Sequence, residues 1–309
     1  MTSKKEQAIV VSALKHAAPY IRLFKKKVFV IKAGGEIFAD PGQTSAFIEQ
    51  VGLLHQVGIR VVLIHGGGPQ STELATALGL DTQFIEGRRV TDGASLDVAT
   101  MVLNGQINTR ILAACRDLQI PAVGMSGVDA GLIRAHQRPP VERDGEDAVD
   151  YGYVGDIDGV DADVLRKQLD NGLMPVISPL SCDESGTLLN INADTVAAAI
   201  AAELDAEKLI LATGAAGILE DIKDPRSLIS YMDRAALKKL KTSGSLADGM
   251  LPTAAAIDAA LANGVQRVHV ISYKLADSLL LEVFTNEGTG TLVVDDTAAL
   301  SPAEQAGSS

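Results

Sequence analysis

VFVIKAGGEIF, Val28–Phe38, reads as a buried strand that carries a lysine and a glycine pair to its C-terminal end. The run Val28–Ile31 is continuously apolar, as expected of a strand covered on both faces. Lys32 follows, then Gly34-Gly35, where glycine permits positive φ and close approach of backbone to a ligand. In open α/β sheets the ligand crevice lies at the carboxyl ends of the strands, where this lysine falls. A lysine there is either a solvated charge or one compact cation for an anion. A second stretch repeats the pattern: Val61–Ile64, then His65-Gly66-Gly67-Gly68-Pro69. Two N–H-rich turns that converge can hold one phosphate or carboxylate between them. G-x-x-x-x-G-K-[ST] is absent, so this is no Walker loop. His65, ahead of the glycines, reads as structural rather than as a general base.

Working outward, strands and helices alternate. Helices are expected over Thr44–Val57 and Gln70–Leu78, with strands at Ile59–Ile64 and Ala122–Met125. Asp92 or Ser95 caps a helix to Leu103, and Gln106–Leu118 forms another. The Gly-, Asp- and Pro-rich stretch 126–158 reads as hairpins and loops forming a lid. Beyond it lie helix Ala162–Asn171, strand Pro175–Leu180 and helix Ala193–Leu204. Strand Lys208–Ala212 then leads to the turn Thr213–Gly217. Helix Leu251–Asn263, strand Arg267–Ile271, helix Leu275–Phe284 and strand Leu292–Val294 complete the pattern. This alternation predicts an α/β fold, a doubly wound and mainly parallel sheet sandwiched by helices. Ahead of it, residues 5–24 form an amphipathic helix. Val10, Leu14, Ala17, Ile21 and Phe24 make its stripe, with Pro19 expected to bend or divide it. That stripe can pack internally or pair with another subunit.

Composition narrows the function. The chain has 309 residues, 47% of them hydrophobic, and a net charge of −12, which argues against nucleic acid or an anionic membrane as partner. Two cysteines, Cys115 and Cys182, lie far apart without metal-ligand spacing, so reduced thiols in the cytoplasm are expected, with no metal held by the protein. No run reaches membrane-spanning length, and the N-terminal stretch lacks the uncharged core of a signal peptide.

Other polar positions have two readings. Arg89, in GRRVTD, is either a wet surface arginine or a bidentate partner for a carboxylate. Asn190-Ile-Asn-Ala-Asp194 precedes an Ala-rich helix, so Asn192 or Asp194 can be a cap. Alternatively Asn190 contacts substrate and Asp194 faces a lysine. Thr213–Gly217 is either an ordinary strand-to-helix turn or a nucleotide cradle.

In this order the motifs resemble the amino-acid kinase family. The resemblance covers residues 19–294 and rests on PYIRLF (Pro19–Phe24), VIKAGG (Val30–Gly35), IHGGGPQ (Ile64–Gln70) and GRRVTD (Gly87–Asp92). YVGDI (Tyr153–Ile157), NINAD (Asn190–Asp194), DGML (Asp248–Leu251) and LLLEVFTNEGTGTL (Leu279–Leu292) extend it. The nearest branch is the one that acts on acetylglutamate. GGE (Gly34–Glu36) and GLLHQVGIRVV (Gly52–Val62) are also similar to the kinase-like domain of acetylglutamate synthase, whose further acetyltransferase domain is not expected in a chain this long.

The resemblance implies an amino-acid kinase (carbamate kinase-like) fold and phosphoryl transfer from ATP to the side-chain carboxylate of N-acetyl-L-glutamate, in arginine biosynthesis. It implies a helical segment 1–24 for oligomerisation and regulation and an acyl-amino-acid lobe over 25–178. A nucleotide lobe would span 179–294, with a flexible tail 295–309. Lys32 and Asp194 would be catalytic. Gly66, Gly67, Gly68, Arg89 and Asn190 would hold the substrate. Gly34, Gly35, Thr213, Gly214, Gly217 and Thr253 would hold the nucleotide, whose phosphates carry Mg²⁺. L-arginine would bind at Tyr20, Glu282, Gly288 and Gly290 in a homo-oligomer, dimer or hexamer. Two positions depart from the family. Thr253 stands where a second active-site lysine is usual, and Gly214 where Asp or Asn is. A cation from the Lys238–Lys241 run could substitute. The alternative reading is a catalytically impaired protein of the same fold that senses arginine or acetylglutamate.

Overall fold

The computed structural model describes residues 3–85, 88–143, 146–221, 223–224, 226–244, 246, 248–286 and 288–299. Gly87 and Glu287 of the quoted motifs, and the tail from residue 300, lie outside the described residues. β1 (Val28–Ala33) is central in an eight-stranded sheet. The others are β2 (Arg60–His65), β3 (Ala122–Ser126), β4 (Met174–Ser178), β5 (Lys208–Thr213), β6 (Tyr231–Asp233), β7 (Val268–Ser272) and β8 (Thr291–Val294). Their order is β6-β8-β7-β5-β1-β2-β4-β3. Every pairing is parallel except β7 with β8.

Alternation within the apolar strands creates two cores. Val30, Val62, Ile64, Leu209, Leu211, Val268 and Val270 face one; Phe29, Ile31, Val61, Leu63, Ile210 and Ile271 face the other. Burial on both faces is why these strands read as continuous apolar runs. Helices cover the two faces, among them α1 (Lys4–Phe24), α2 (Pro41–Gln56) and α3 (Gly68–Ala77). α2 starts cleanly because Asp40 accepts from the Gln43 N–H at 2.8 Å and Pro41 needs no acceptor. The doubly wound α/β expectation therefore holds.

Several local expectations do not. α1 is one uninterrupted helix through Pro19. The carbonyl that the proline leaves without its helical partner is that of Lys15, an exposed residue on which it is open to solvent. The two helices expected to break between Leu103 and Gln106 are one run, 93–117, hereafter α4. It is capped by Asp92 at the Ser95 N–H and passes through a π-helical stretch Met101–Asn108. The strand expected over Pro175–Leu180 ends at Ser178. After Pro179 the chain changes sheet, and Leu180–Cys182 joins a four-stranded sheet with Leu188–Asn190, Ile133–Gln137 and Gly155–Val160. The hairpins expected in 126–158 supply two of those strands. The helix expected from Leu275 starts at Ser278, because Asp277 takes a left-handed φ of 56°. β6 and helix Arg234–Thr242 add to the expected elements; Asp233 ends β6 and caps the helix, accepting from the Ala236 N–H at 2.7 Å.

Candidate active site

The two glycine turns meet. A Cβ on Gly35 would lie 2.9 Å from Gly67 Cα, so neither turn tolerates a larger residue there. The Gly66 N–H donates to Ala33 O at 2.9 Å, and Gln70 Nε2 donates to Gly35 O at 2.6 Å. Gly67 caps α3, whose first N–H groups have no acceptor within the helix and form a ready anion site. A Cβ on Gly67 would also collide with Leu103 and Ile107 of α4 at 2.6 and 2.7 Å, whereas Gly68 has open space.

Lys32 Nζ reaches these turns from the end of β1, 2.8 Å from Asp194 Oδ1. Asp194 lies in the first turn of α5 (Ala193–Glu203; α helices are numbered here among those that build the site). Asn192 caps this helix, accepting from the Asp194 and Thr195 N–H groups, so the capping reading and the lysine-facing reading are both correct. The other carboxylate oxygen accepts from Thr253 Oγ1 at 2.9 Å. Thr253 opens α6 (Leu251–Ala262) and is buried. The hydroxyl therefore occupies the side of Asp194 where a lysine was expected. Lys238 sits instead 3.5 Å from Asp258, which Arg234 also grips, so the Lys238–Lys241 run does not enter the cleft.

Arg89 donates to Thr72 Oγ1 at 2.7 Å, to Gly68 O at 3.1 Å and to Thr82 Oγ1 at 3.3 Å, and its guanidinium lies 4.9 Å from the Phe84 ring centre. Partial burial lowers its pKa, though an arginine stays charged at neutral pH. Asn190 Nδ2 donates to Thr91 Oγ1 at 3.3 Å. Arg89, Asn190, Lys32, Gly34, Gly35, Gly66–Gly68 and Asp194 all line one cleft of about 550 Å³. Arg138 lines it too and was missed in the sequence. It grips Asp156 with two hydrogen bonds of 3.1 Å from Nε. The only hint was its partner, Asp156 of the YVGDI motif.

The presumed nucleotide turn is divided. Thr213 ends β5 and Gly214 follows it, next to Gly34, whose N–H donates to Ala212 O at 3.3 Å. Neither lines the cleft, and Thr253 lies behind Asp194 while Pro252 and Ala255 face the opening. Gly217 packs elsewhere: a Cβ there would sit 2.6 Å from both Leu228 and Thr291.

Tyr20, Glu282, Gly288 and Gly290 come together in a second cavity of about 360 Å³, between the end of α1 and the start of β5 and β7. Lys208 Nζ is 2.9 Å from His269 Nε2, whose Nδ1 is 2.6 Å from Glu282 Oε1. The Thr289 N–H donates to Glu282 Oε2 at 2.6 Å, and Tyr20 donates to Asn286. Burial works to raise the Glu282 carboxyl. The hydrogen bond from His269, the Thr289 N–H and the Lys208 ammonium prevail and hold it at about 2. Burial, then Lys208, lowers His269, consistent with a neutral ring that accepts from lysine and donates to glutamate.

Residues 27–272 match the model of the amino acid kinase family. Over 292 residues the chain is 46% identical to an acetylglutamate kinase of Myxococcus xanthus, covering 93% of this chain and 95% of that one. Among solved structures, N-acetylglutamate synthase from Neisseria gonorrhoeae complexed with coenzyme A and N-acetyl-glutamate is 31% identical, with a TM-score of 0.81 over 93% of this chain. The same synthase complexed with coenzyme A and L-arginine gives 30% and 0.81. This chain spans 64% of the synthase's length. Carbamate kinase from Giardia lamblia, at 16% identity and a TM-score of 0.62, shares the fold.

Proposed function

This chain belongs to the amino acid kinase family, and from that premise we propose that it is an acetylglutamate kinase, a phosphotransferase with a carboxyl group as acceptor. ATP is the donor and the side-chain carboxylate of N-acetyl-L-glutamate the acceptor, in amino-acid biosynthesis leading to arginine. The observation that carries the reading is Lys32 paired with Asp194 at 2.8 Å beside two glycine turns in van der Waals contact.

The acceptor needs no general base, because a carboxylate with a pKa of about 4.3 is ionised at neutral pH. One of its oxygens attacks the γ-phosphorus while the bond to ADP breaks, and no proton moves. Catalysis is then positioning and neutralisation of charge on the moving group. Asp194 holds the Lys32 ammonium toward the glycine turns, and the N–H groups of Gly67 and Gly68 face the same space, the Gly66 N–H being taken by Ala33 O. Arg89 takes the α-carboxylate and Asn190 the acetamido group. Gly34 and Gly35, with Thr213 and Gly214, flank the nucleotide, and Mg²⁺ arrives on its phosphates because both Asp194 oxygens are engaged by Lys32 and Thr253. The acyl-amino acid belongs to the half of the sheet built from residues 25–178 and the nucleotide to the half from 179–294.

The second cavity suits L-arginine as feedback inhibitor. Glu282 is an ionised carboxylate for the guanidinium, and the Gly288–Gly290 turn offers amides to the α-carboxylate. Ile9, Val10, Val11 and Leu14 are exposed on α1, an apolar face suited to pairing with α1 of another subunit. A cytoplasmic location fits the use of ATP, and no helix among the described residues is long and apolar enough to cross a membrane. The rival reading, a sensor without turnover, draws on Thr253 and Gly214.

Hydroxylamine trapping of the acyl phosphate tests the choice, with N-acetylglutamate, glutamate, aspartate and carbamate offered beside ATP and Mg²⁺. Product from N-acetylglutamate alone is expected. Binding of both ligands without trapped product would leave the sensor.

A further inference from the structure

His65 is wholly buried, lies beside the cleft and has no part in the chemistry above. Its Nδ1 is 3.2 Å from Gly66 O and its Nε2 is 3.2 Å from Asn108 Nδ2. The same amide nitrogen is 2.9 Å from Val176 O on β4. The two amide hydrogens thus have one acceptor each, which requires a bare Nε2 and a hydrogen on Nδ1. That tautomer donates to Gly66 O. Burial draws the ring's pKa down to about 4, so this neutral form holds at physiological pH. Phe38 closes the third side of the ring, edge-on at 6.2 Å.

The consequence lies in the next peptide. In a planar trans peptide the carbonyl and the following N–H point in opposite directions. No cis bond occurs among the described residues. Drawing Gly66 O inward to His65 therefore turns the Gly67 N–H outward, toward the cleft that Gly67 lines and the first glycine turn. Without a side chain at Gly66 or Gly67, no Cβ restrains that peptide from turning over. The π-helical stretch of α4 is what brings the support into place. Its i-to-i+5 spacing sets Leu103 and Asn108 on one face, so Leu103 and Ile107 press on Gly67 while Asn108 holds His65.

We propose that Asn108 and His65 are positioning residues: a buried strut that fixes the Gly66–Gly67 peptide with its N–H aimed at the transferred phosphoryl group. The proposal rests on the kinase reading for what the N–H binds, and on the hydrogen bonds alone for where it points. Three variants separate the strut from plain packing. His65→Asn keeps a donor where Nδ1 stands, His65→Gln moves the amide to the Nε2 position, and Asn108→Leu removes the outer support. Losing a preorganised donor to a transition state costs about 10²–10³ in rate, and a misaimed one costs less. His65→Gln and Asn108→Leu should therefore lower kcat by about 10- to 100-fold, with KM for N-acetylglutamate within about twofold. His65→Asn should retain kcat within about threefold. A crystal structure of His65→Gln should show the Gly66–Gly67 peptide turned over. An unturned peptide, or a turned one with unchanged kcat, overturns the proposal. So does a loss of kcat in all three variants that follows their melting temperatures. If the unaltered chain forms no acyl phosphate, the kinase reading fails instead, and the orientation of that peptide in His65→Gln still decides the strut.

Discussion

Two lysine–carboxylate assemblies occupy opposite edges of one sheet, and they are built differently. At the C-terminal edge Lys32 meets Asp194, with glycine turns around it. At the N-terminal edge Lys208 is linked to Glu282 through His269. The registers Phe29↔Lys208 and Lys32↔Leu211 set the two lysines three residues apart along β1 and β5, roughly 10 Å at a strand's rise. At the first edge the donors are backbone N–H groups of tight turns, suited to a phosphoryl group that passes through. At the second, the glutamate is held by a turn and closed over by a helix, suited to a ligand that stays. A ligand at the second edge can influence the first only if it prefers one arrangement of the sheet halves and α1.

The difference can be broken at either edge. Lys32→Ala should reduce kcat by about 10²–10³, with arginine affinity untouched, as measured by steady-state kinetics and calorimetry. Buried His65 and buried Glu282 sharpen the contrast through pH. An unfolded chain protonates His65 near 6.5, the folded one only at about 4. In that window the unfolded state binds more protons, so stability falls as pH drops from 6.5 to 4, by on the order of 3 kcal/mol. Urea titrations should show this loss, and His65→Leu should flatten it. Glu282 has the opposite linkage, its stability present above about 4.5 and lost toward 2.

Smaller effects follow at the second edge and at Thr253. Glu282→Gln removes a charged partner worth about 1.5–3 kcal/mol, so arginine should bind at least about tenfold more weakly while uninhibited kcat stays near its original value. Thr253→Lys should raise kcat by about tenfold with little change in KM, if the buried hydroxyl marks a missing charge. Deleting residues 1–24 should reduce the assembly seen by light scattering, to a dimer, and weaken the arginine response. An unchanged assembly would make α1 a packing element only.

How legible this was in the sequence depends on what each feature answers to. VFVIKAGG and IHGGGP were readable because burial on both faces forces continuous apolar strands and a ligand-facing turn forces glycine. Asp92 and Asn192 announced their helices through capping chemistry. Arg138 gave no such signal, because its role comes from a partner eighteen residues away across a hairpin of the second sheet. The π-helical stretch was invisible for a related reason: 101–108 satisfies α periodicity about as well, and packing against Gly67 and His65 selects the wider turn. Gly217 misled, since a glycine demanded by Thr291 and Leu228 looks like one demanded by a nucleotide.

The most direct test of the division between edges is acyl-phosphate formation by three proteins, each with and without arginine: the unaltered chain, Lys32→Ala and Glu282→Gln. The account predicts an arginine-inhibited enzyme, an inactive protein that still binds arginine by calorimetry, and an active enzyme indifferent to arginine. Activity in Lys32→Ala equal to that of the unaltered chain, or full arginine inhibition of Glu282→Gln, would contradict it.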